Sequence, residues 1–168
     1  MVAWYCALVA LVGLERLLEL RISKRNFAAA MAAGGHEAFP RHFIAMSVMH
    51  TLFLFSCAAE AFFRPFYTPL AIAAFVLVLL AQALRYWVIG TLGVRWNVRI
   101  VVFPNAPLVA TGPYRFLRHP NYVAVAVEII ALPLIHSGWV TAVVFTLANA
   151  IIMAVRIPAE EAALGIRS

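Results

Sequence analysis

Aspartate is absent, and the acidic residues are all glutamate: Glu15, Glu19, Glu37, Glu60, Glu128, Glu160 and Glu161. Charge of either sign is scarce, at 12% of the chain, against about 25% in soluble proteins. Apolar residues reach 65%. A soluble core of 168 residues cannot hide that much apolar surface, so an ordinary soluble domain is excluded and a bilayer is the solvent that fits. Cysteine is limited to Cys6 and Cys57. Both lie in apolar runs and read as small packing residues, without metal spacing. No histidine has metal-ligand spacing either, so no metal is expected. A Gly-rich strand-to-helix loop followed by an acidic residue is also missing, which excludes a Rossmann-type nucleotide site. The net charge is +6, but the basic residues sit between apolar runs and form no stripe of their own. That excludes nucleic acid as the partner and points to positive-inside signals and lipid headgroups.

Five apolar runs approach the roughly 20 residues that a bilayer crossing needs. They are Val2 to Leu20, Phe43 to Phe63, Leu70 to Ile89, Tyr122 to Ile135 and Trp139 to Val155. The last two are short, are joined by His136-Ser137-Gly138, and are predicted to pack as an antiparallel hairpin. Asn26 to Arg41 reads as an interfacial helix and turn, broken at Gly34-Gly35. The polar stretch Gly90 to Asn121 reads as a long loop. Basic residues alternate between connections: Arg21, Lys24, Arg25 and Arg41 after the first run, Arg64 alone after the second, and Arg95, Arg99, Arg115 and Arg118 after the third. The hairpin turn has none, and the tail has Arg156 and Arg167. This pattern predicts an N-terminus outside and a cytoplasmic C-terminus. The expected fold is an all-α polytopic membrane protein with about five transmembrane helices, the last two a hairpin, plus a short C-terminal cytoplasmic helix. The whole chain, 1–168, reads as one domain, with helices and an interfacial segment in 1–89 and a loop, hairpin and tail in 90–168.

The densest chemistry lies in Gly112-Pro113-Tyr114-Arg115-Phe116-Leu117-Arg118-His119-Pro120-Asn121-Tyr122. Gly-Pro marks a turn, and Pro120 suits the first position of a helix because its missing N–H has no partner there anyway. His119 then falls at the N-cap and Tyr122 on the first turn. Free N–H groups and the positive helix end, with Arg115 and Arg118 beside them, make an anion-receiving site at the membrane surface. The alternative is a basic turn that holds lipid headgroups. A second cluster is Arg156-Ile157-Pro158-Ala159-Glu160-Glu161. Pro158 is read as starting a short helix, with both carboxylates in its first turn. They serve either as a solvated pair or as acceptors for a cationic amine. The fifth run returns beside the fourth, so these carboxylates are expected close to His119. The two clusters together suit S-adenosylmethionine, which carries a carboxylate, an ammonium and a sulfonium.

These segments resemble the isoprenylcysteine carboxyl methyltransferase family of integral membrane methyltransferases, whose hallmark is an Arg-His-Pro-x-Tyr entry to a helical hairpin and an Arg and a Glu-Glu pair after it. The matching residues are Arg118, His119, Pro120, Tyr122, Arg156, Glu160 and Glu161. The resemblance implies an S-adenosylmethionine site formed by Tyr114, Arg118, His119, Pro120, Tyr122, Glu160 and Glu161, largely enclosed, with lateral access for a lipophilic acceptor. The N-terminal run Glu15 to Asn26, with Trp96-Asn97, resembles a bacterial branch that methylates alkylpyrones or alkylresorcinols and is linked to type III polyketide synthases. That branch implies a bacterial inner membrane and a long-chain polyketide acceptor. A prenylated cysteine carboxylate, and a non-enzymatic lipid-binding role, are the competing readings.

Methyl transfer to oxygen needs alignment, exclusion of water and an ionised acceptor. A carboxylate is ionised already, whereas a phenol, with a pKa of about 10, needs a base or a cation. His119, Arg156 and His50 are the candidate catalytic groups. The first reading of His50, ahead of a catalytic base, is a hydrogen-bonded packing residue of the second run. Arg16 and Glu19 stand i, i+3 and form either a structural ion pair or part of a substrate pocket. Gln82 and Arg85 are expected to tie helices together or to snorkel, and Glu128 to find a partner or a cavity.

Overall fold

The computed structural model describes residues 1–103 and 106–166; Arg167 of the basic tail lies outside them. Five helices lie where the apolar runs predict them: α1 (Val2–Ala32), α2 (Arg41–Ala61), α3 (Thr68–Leu92), α4 (Pro120–Leu134) and α5 (Trp139–Ala163). Three of the five, α2, α3 and α5, are long and apolar enough to cross a membrane. Large apolar side chains such as Phe55, Leu147 and Ile151 point outward with 61–73% of their surface exposed. In water such a surface would drive aggregation, and in lipid it is the natural exterior. The chain is a mostly helical membrane protein.

Helices alternate in direction. At one end, the Tyr5 hydroxyl at the start of α1 donates to the Leu132 carbonyl near the end of α4 at 3.0 Å. Glu60 at the end of α2 meets the start of α5 there. At the other end, Asn26 of α1 donates to the Trp96 carbonyl at 2.8 Å, and His119 and Glu161 bring the start of α4 to the end of α5. Lipid tails are as apolar as leucine, so helix association depends on close packing and interhelical polar contacts. α3 supplies the packing: its buried face reads Ala71, Ala74, Val78, Ala81, Arg85, Val88, a three-and-four spacing of mostly small residues that lets α4 approach. α1 has the same spacing along Tyr5, Val9, Val12, Glu19, Ser23, Asn26 and Ala30. Its inward stripe changes from apolar to polar at Glu19, which marks where the protein interior stops being a core.

α5 begins at Gly138, which has no side chain to cap the helix. Glu60 of α2 supplies the cap. Its carboxylate accepts from the Val140 N–H at 3.1 Å and the Thr141 N–H at 2.7 Å, and Arg64 donates to it at 2.7 Å. Glu60→Ala is expected to cost about 1–2 kcal/mol, the value of a lost N-cap. The thermal midpoint in detergent should fall, while cofactor affinity at the opposite end stays unchanged.

Three expectations are corrected. The fold is not purely helical, because β1 (His36–Ala38) and β2 (Ile100–Val102) pair antiparallel, with Glu37 opposite Val101. The ribbon ties the α1–α2 connection to the long loop after α3, and Glu37 accepts from Arg99 at 2.7 Å across it. Asn26 does not open an interfacial helix, because α1 runs unbroken to Ala32. Ser23 and Asn26 are held by Asn97 and Trp96, and these contacts carry the helix on. Gly34, with φ of 80°, then turns the chain. Finally, Pro158 starts no separate C-terminal helix. It lies inside α5. Its fixed φ suits a helix, and the cost of about 3 kcal/mol for the missing bond and ring clash is offset by Met153, Arg156 and Ala159, buried on both sides of it.

Candidate active site

His119 is the N-cap residue of α4 and Pro120 its first residue, as the dipeptide predicts. Ahead of them, Gly112–Arg115 forms a 3-10 turn. Gly112 has φ of 57°, and a Cβ there would strike the Thr91 side chain of α3, so only glycine lets this turn lie against that helix. Tyr114 sits in the turn. Burial, and then the charge of Glu160, push its phenol up to about 12, so it remains a protonated donor at neutral pH.

The two sequence clusters meet. His119 Nε2 lies 3.0 Å from Glu161 Oε1. The Tyr122 hydroxyl donates to Glu160 Oε2 and accepts from Arg156 Nε, the latter at 2.8 Å. Arg156 is buried, and its Nη2 donates to the Val98 carbonyl at 2.7 Å. One guanidinium therefore joins α5, α4 and the loop after α3. Glu160 and Glu161 occupy the last turn of α5, not a first turn. The helix dipole disfavours carboxylates there, and the Tyr122 hydroxyl and His119 offset that penalty. A local rule broken and compensated in this way is expected at a functional site.

A cavity of about 260 Å³ opens beside this junction. Its shallow end has Tyr114, His119, Asn121, Tyr122, Arg156 and Glu160 in the wall. Leu17, Leu54, Val88 and Val125 also line it, and Arg16, Glu19, His50 and Arg85 line it along α1, α2 and α3. Of the residues expected in the site, Arg118 is exposed and outside the wall. Pro120 is buried beneath it, and Glu161 stands behind His119. Among the described residues, Arg156 is the buried guanidinium at this end.

The deep end is a buried charge cluster. Arg85 Nη2 donates to Glu128 Oε2 at 2.6 Å, and Arg16 Nη1 lies 3.0 Å from Glu19 Oε2. Cross-pairs at 3.7 Å (Arg85–Glu19) and 3.9 Å (Arg16–Glu128) close the ring. Glu15 accepts from Arg16, Gln82 and Tyr86. Gln82 and Arg85 thus tie helices together and do not snorkel. Arg16 and Glu19 form an ion pair that is also part of a cavity wall. His50 likewise has both of its expected features: its Nδ1 is 2.9 Å from the Met46 carbonyl, and its ring lines the cavity.

Sequence reasoning passed over Asn121 and Arg99. Asn121 Oδ1 is buried without a partner among the described residues. Arg99 stacks 4.2 Å from the Phe43 ring and lines the cavity. The available signal was the continuation of the α1 stripe into Ser23 and Asn26, which shows that the Trp96–Arg99 segment folds back onto that helix.

A pocket charged at its mouth and continuing among apolar spans suits a membrane enzyme that joins a polar cofactor to a lipophilic partner. Residues 72–166 match the isoprenylcysteine carboxyl methyltransferase (ICMT) family, and the chain belongs to it. It is a membrane methyltransferase, and the family's methyl donor is S-adenosylmethionine. An uncharacterized protein of Bacillus subtilis (strain 168), YpbQ, is 36% identical over 160 residues, covering 94% of each chain. An uncharacterized protein of Haemophilus influenzae is 29% identical over 151 residues, covering 89% of this chain and 88% of that one. The shallow end fits the cofactor chemically. The unpartnered Asn121 oxygen and the Glu160 carboxylate suit an ammonium, and the α4 N-terminus with Arg156 suits a carboxylate.

Proposed function

We propose that the protein methylates an oxygen of a lipophilic acceptor, a long-chain polyketide such as an alkylpyrone or alkylresorcinol, in partnership with a type III polyketide synthase. The observation that carries this reading is the single cavity joining the His119–Tyr122–Arg156–Glu160 junction to membrane depth. Tyr114, His119, Tyr122, Glu160 and Arg156 hold the polar end of the cofactor, with Glu161 orienting His119 and Pro120 setting the helix start. Arg118, at the surface, attracts the anionic end on approach. When bound, the cofactor supplies an electrophilic methyl group on a cationic sulfur. The apolar walls align a long-chain acceptor and exclude water from the reacting centre. His119, Arg156 and His50 are the polar groups available to the acceptor oxygen. Five crossings, the N-terminus outside and the site at the cytoplasmic face of a bacterial inner membrane agree with the alternating helices and with the basic loops.

The test is incubation of purified protein with labelled S-adenosylmethionine and either an alkylresorcinol, an alkylpyrone or a prenylcysteine analogue. Label in the first two extracts supports the reading. Label in the prenylcysteine product alone would replace it with carboxyl methylation. Calorimetry with S-adenosylhomocysteine is the companion measurement. His119→Ala and Glu160→Gln are each expected to weaken binding at least about tenfold, the loss of a charge-assisted contact.

A further inference from the structure

We infer that His50 takes the proton of the acceptor and that the buried Arg16–Glu19–Arg85–Glu128 cluster stabilises the charge so formed, which makes the acceptor a hydroxyl that enters protonated and not a carboxylate. This rests on the methyl-transfer reading above and adds to it a proton route and a chemical class.

The first support is a tautomer. A backbone carbonyl can only accept, so the 2.9 Å contact with Met46 places the proton of His50 on Nδ1. The lone pair is then on Nε2, and the ring forms part of the cavity wall. A fixed neutral imidazole with a bare nitrogen at membrane depth is a proton acceptor.

The second is charge. Three carboxylates, Glu15, Glu19 and Glu128, surround two guanidiniums, Arg16 and Arg85, so the ionised cluster has one net negative charge. Glu19, Arg85 and Glu128 are only 4–5% exposed, so water screens them little. A carboxylate acceptor would add a second negative charge beside them. A neutral hydroxyl adds none, and the imidazolium that forms from His50 is attracted by Glu128 and repelled by Arg16 and Arg85 within a cluster whose total charge is negative. The charged groups around His50 come from three helices: Arg16 and Glu19 on α1, Arg85 on α3 and Glu128 on α4.

The third is conservation of charge. The acceptor O–H bond breaks, its proton goes to Nε2, the oxygen pair forms the new O–C bond, and the C–S electrons return to sulfur. One positive charge disappears at the donor and one appears on His50 within the same cavity. The cluster faces the same total before and after, so a low-dielectric site reorganises little.

A chromophoric long-chain nitrophenol tests this without turnover. Added to the purified protein with S-adenosylhomocysteine at a pH below its own pKa, where it is protonated in solution, it should show the absorbance of the ionised phenol. His50→Gln should abolish that shift while leaving S-adenosylhomocysteine affinity within about twofold by calorimetry. Methyl transfer to an alkylresorcinol should fall at least about a hundredfold in H50Q, as for loss of a general base. Transfer to the nitrophenol at a pH above its own pKa, where it is already ionised in solution, should fall less than about tenfold. Glu19→Gln, which removes the net negative charge, should reduce the spectral shift with His50 intact, so the proposal stays testable if H50Q does not fold. An undiminished shift in H50Q, an equal loss on both acceptors, or methylation of a long-chain fatty acid as readily as the resorcinol overturns it. If wild-type protein fails to bind S-adenosylhomocysteine, the methyl-transfer reading fails and this inference fails with it.

Discussion

Arg85→Leu is expected to lower stability by about 3–5 kcal/mol, the cost of leaving a buried charge without its partner. Arg85 is 5% exposed, and Glu128, its partner at 2.6 Å, is 4% exposed. Without the guanidinium, Glu128 keeps, among the ion pairs of the described residues, the contact with Arg16 at 3.9 Å, and Glu19 loses its second cation. Thermal unfolding in detergent should show the midpoint falling by roughly 10 °C for a chain of this size. Glu128→Leu should do comparable damage by stranding Arg85. The double variant Arg85→Leu/Glu128→Leu should be milder than either single change, because it removes both charges and leaves the Arg16–Glu19 pair at 3.0 Å. Losses that simply add would show that the two side chains are not coupled, and that the ring described here is not what joins α3 to α4.

The second large effect is expected at Arg156. Arg156→Ala should weaken S-adenosylhomocysteine binding at least about a hundredfold, or roughly 3 kcal/mol, and reduce methyl transfer at least as much. The reason is geometric. Its Nε orients the Tyr122 hydroxyl that in turn donates to Glu160, and its Nη2 holds the Val98 carbonyl of the segment that covers the cavity. Arg156→Lys should restore little. An ammonium is a point donor and cannot reproduce two divergent N–H contacts from one plane. Calorimetry on both variants decides the matter. Wild-type affinity in the lysine variant would reduce Arg156 to a source of charge.

Much of this was legible from residue types and spacing. Pro120 after His119 fixed the start of α4, because proline is welcome where an N–H is superfluous. The turn at His136-Ser137-Gly138 fixed the hairpin, and with it the proximity of His119 to the carboxylates of α5. Intramembrane charges announced the deep cluster, because such residues do not face lipid. What was not legible depends on contacts between distant segments. Asn26 looks like a helix leaving the membrane until Trp96 and Gly93 are seen to accept from its amide. Pro158 looks like a helix start until Arg156 and Ala159 are seen buried on either side of it. The ribbon of His36–Ala38 with Ile100–Val102 joins segments more than sixty positions apart, and three-residue strands leave no periodicity to read.

The unbroken α5 also works as a ruler. Its 25 residues measure about 37 Å at ~1.5 Å each, whereas a hydrocarbon layer is about 30 Å thick. The excess is about one turn, and the last turn of the helix carries Glu160 and Glu161. A helix of this length can span the oil and still hold its last turn, with both carboxylates, in water.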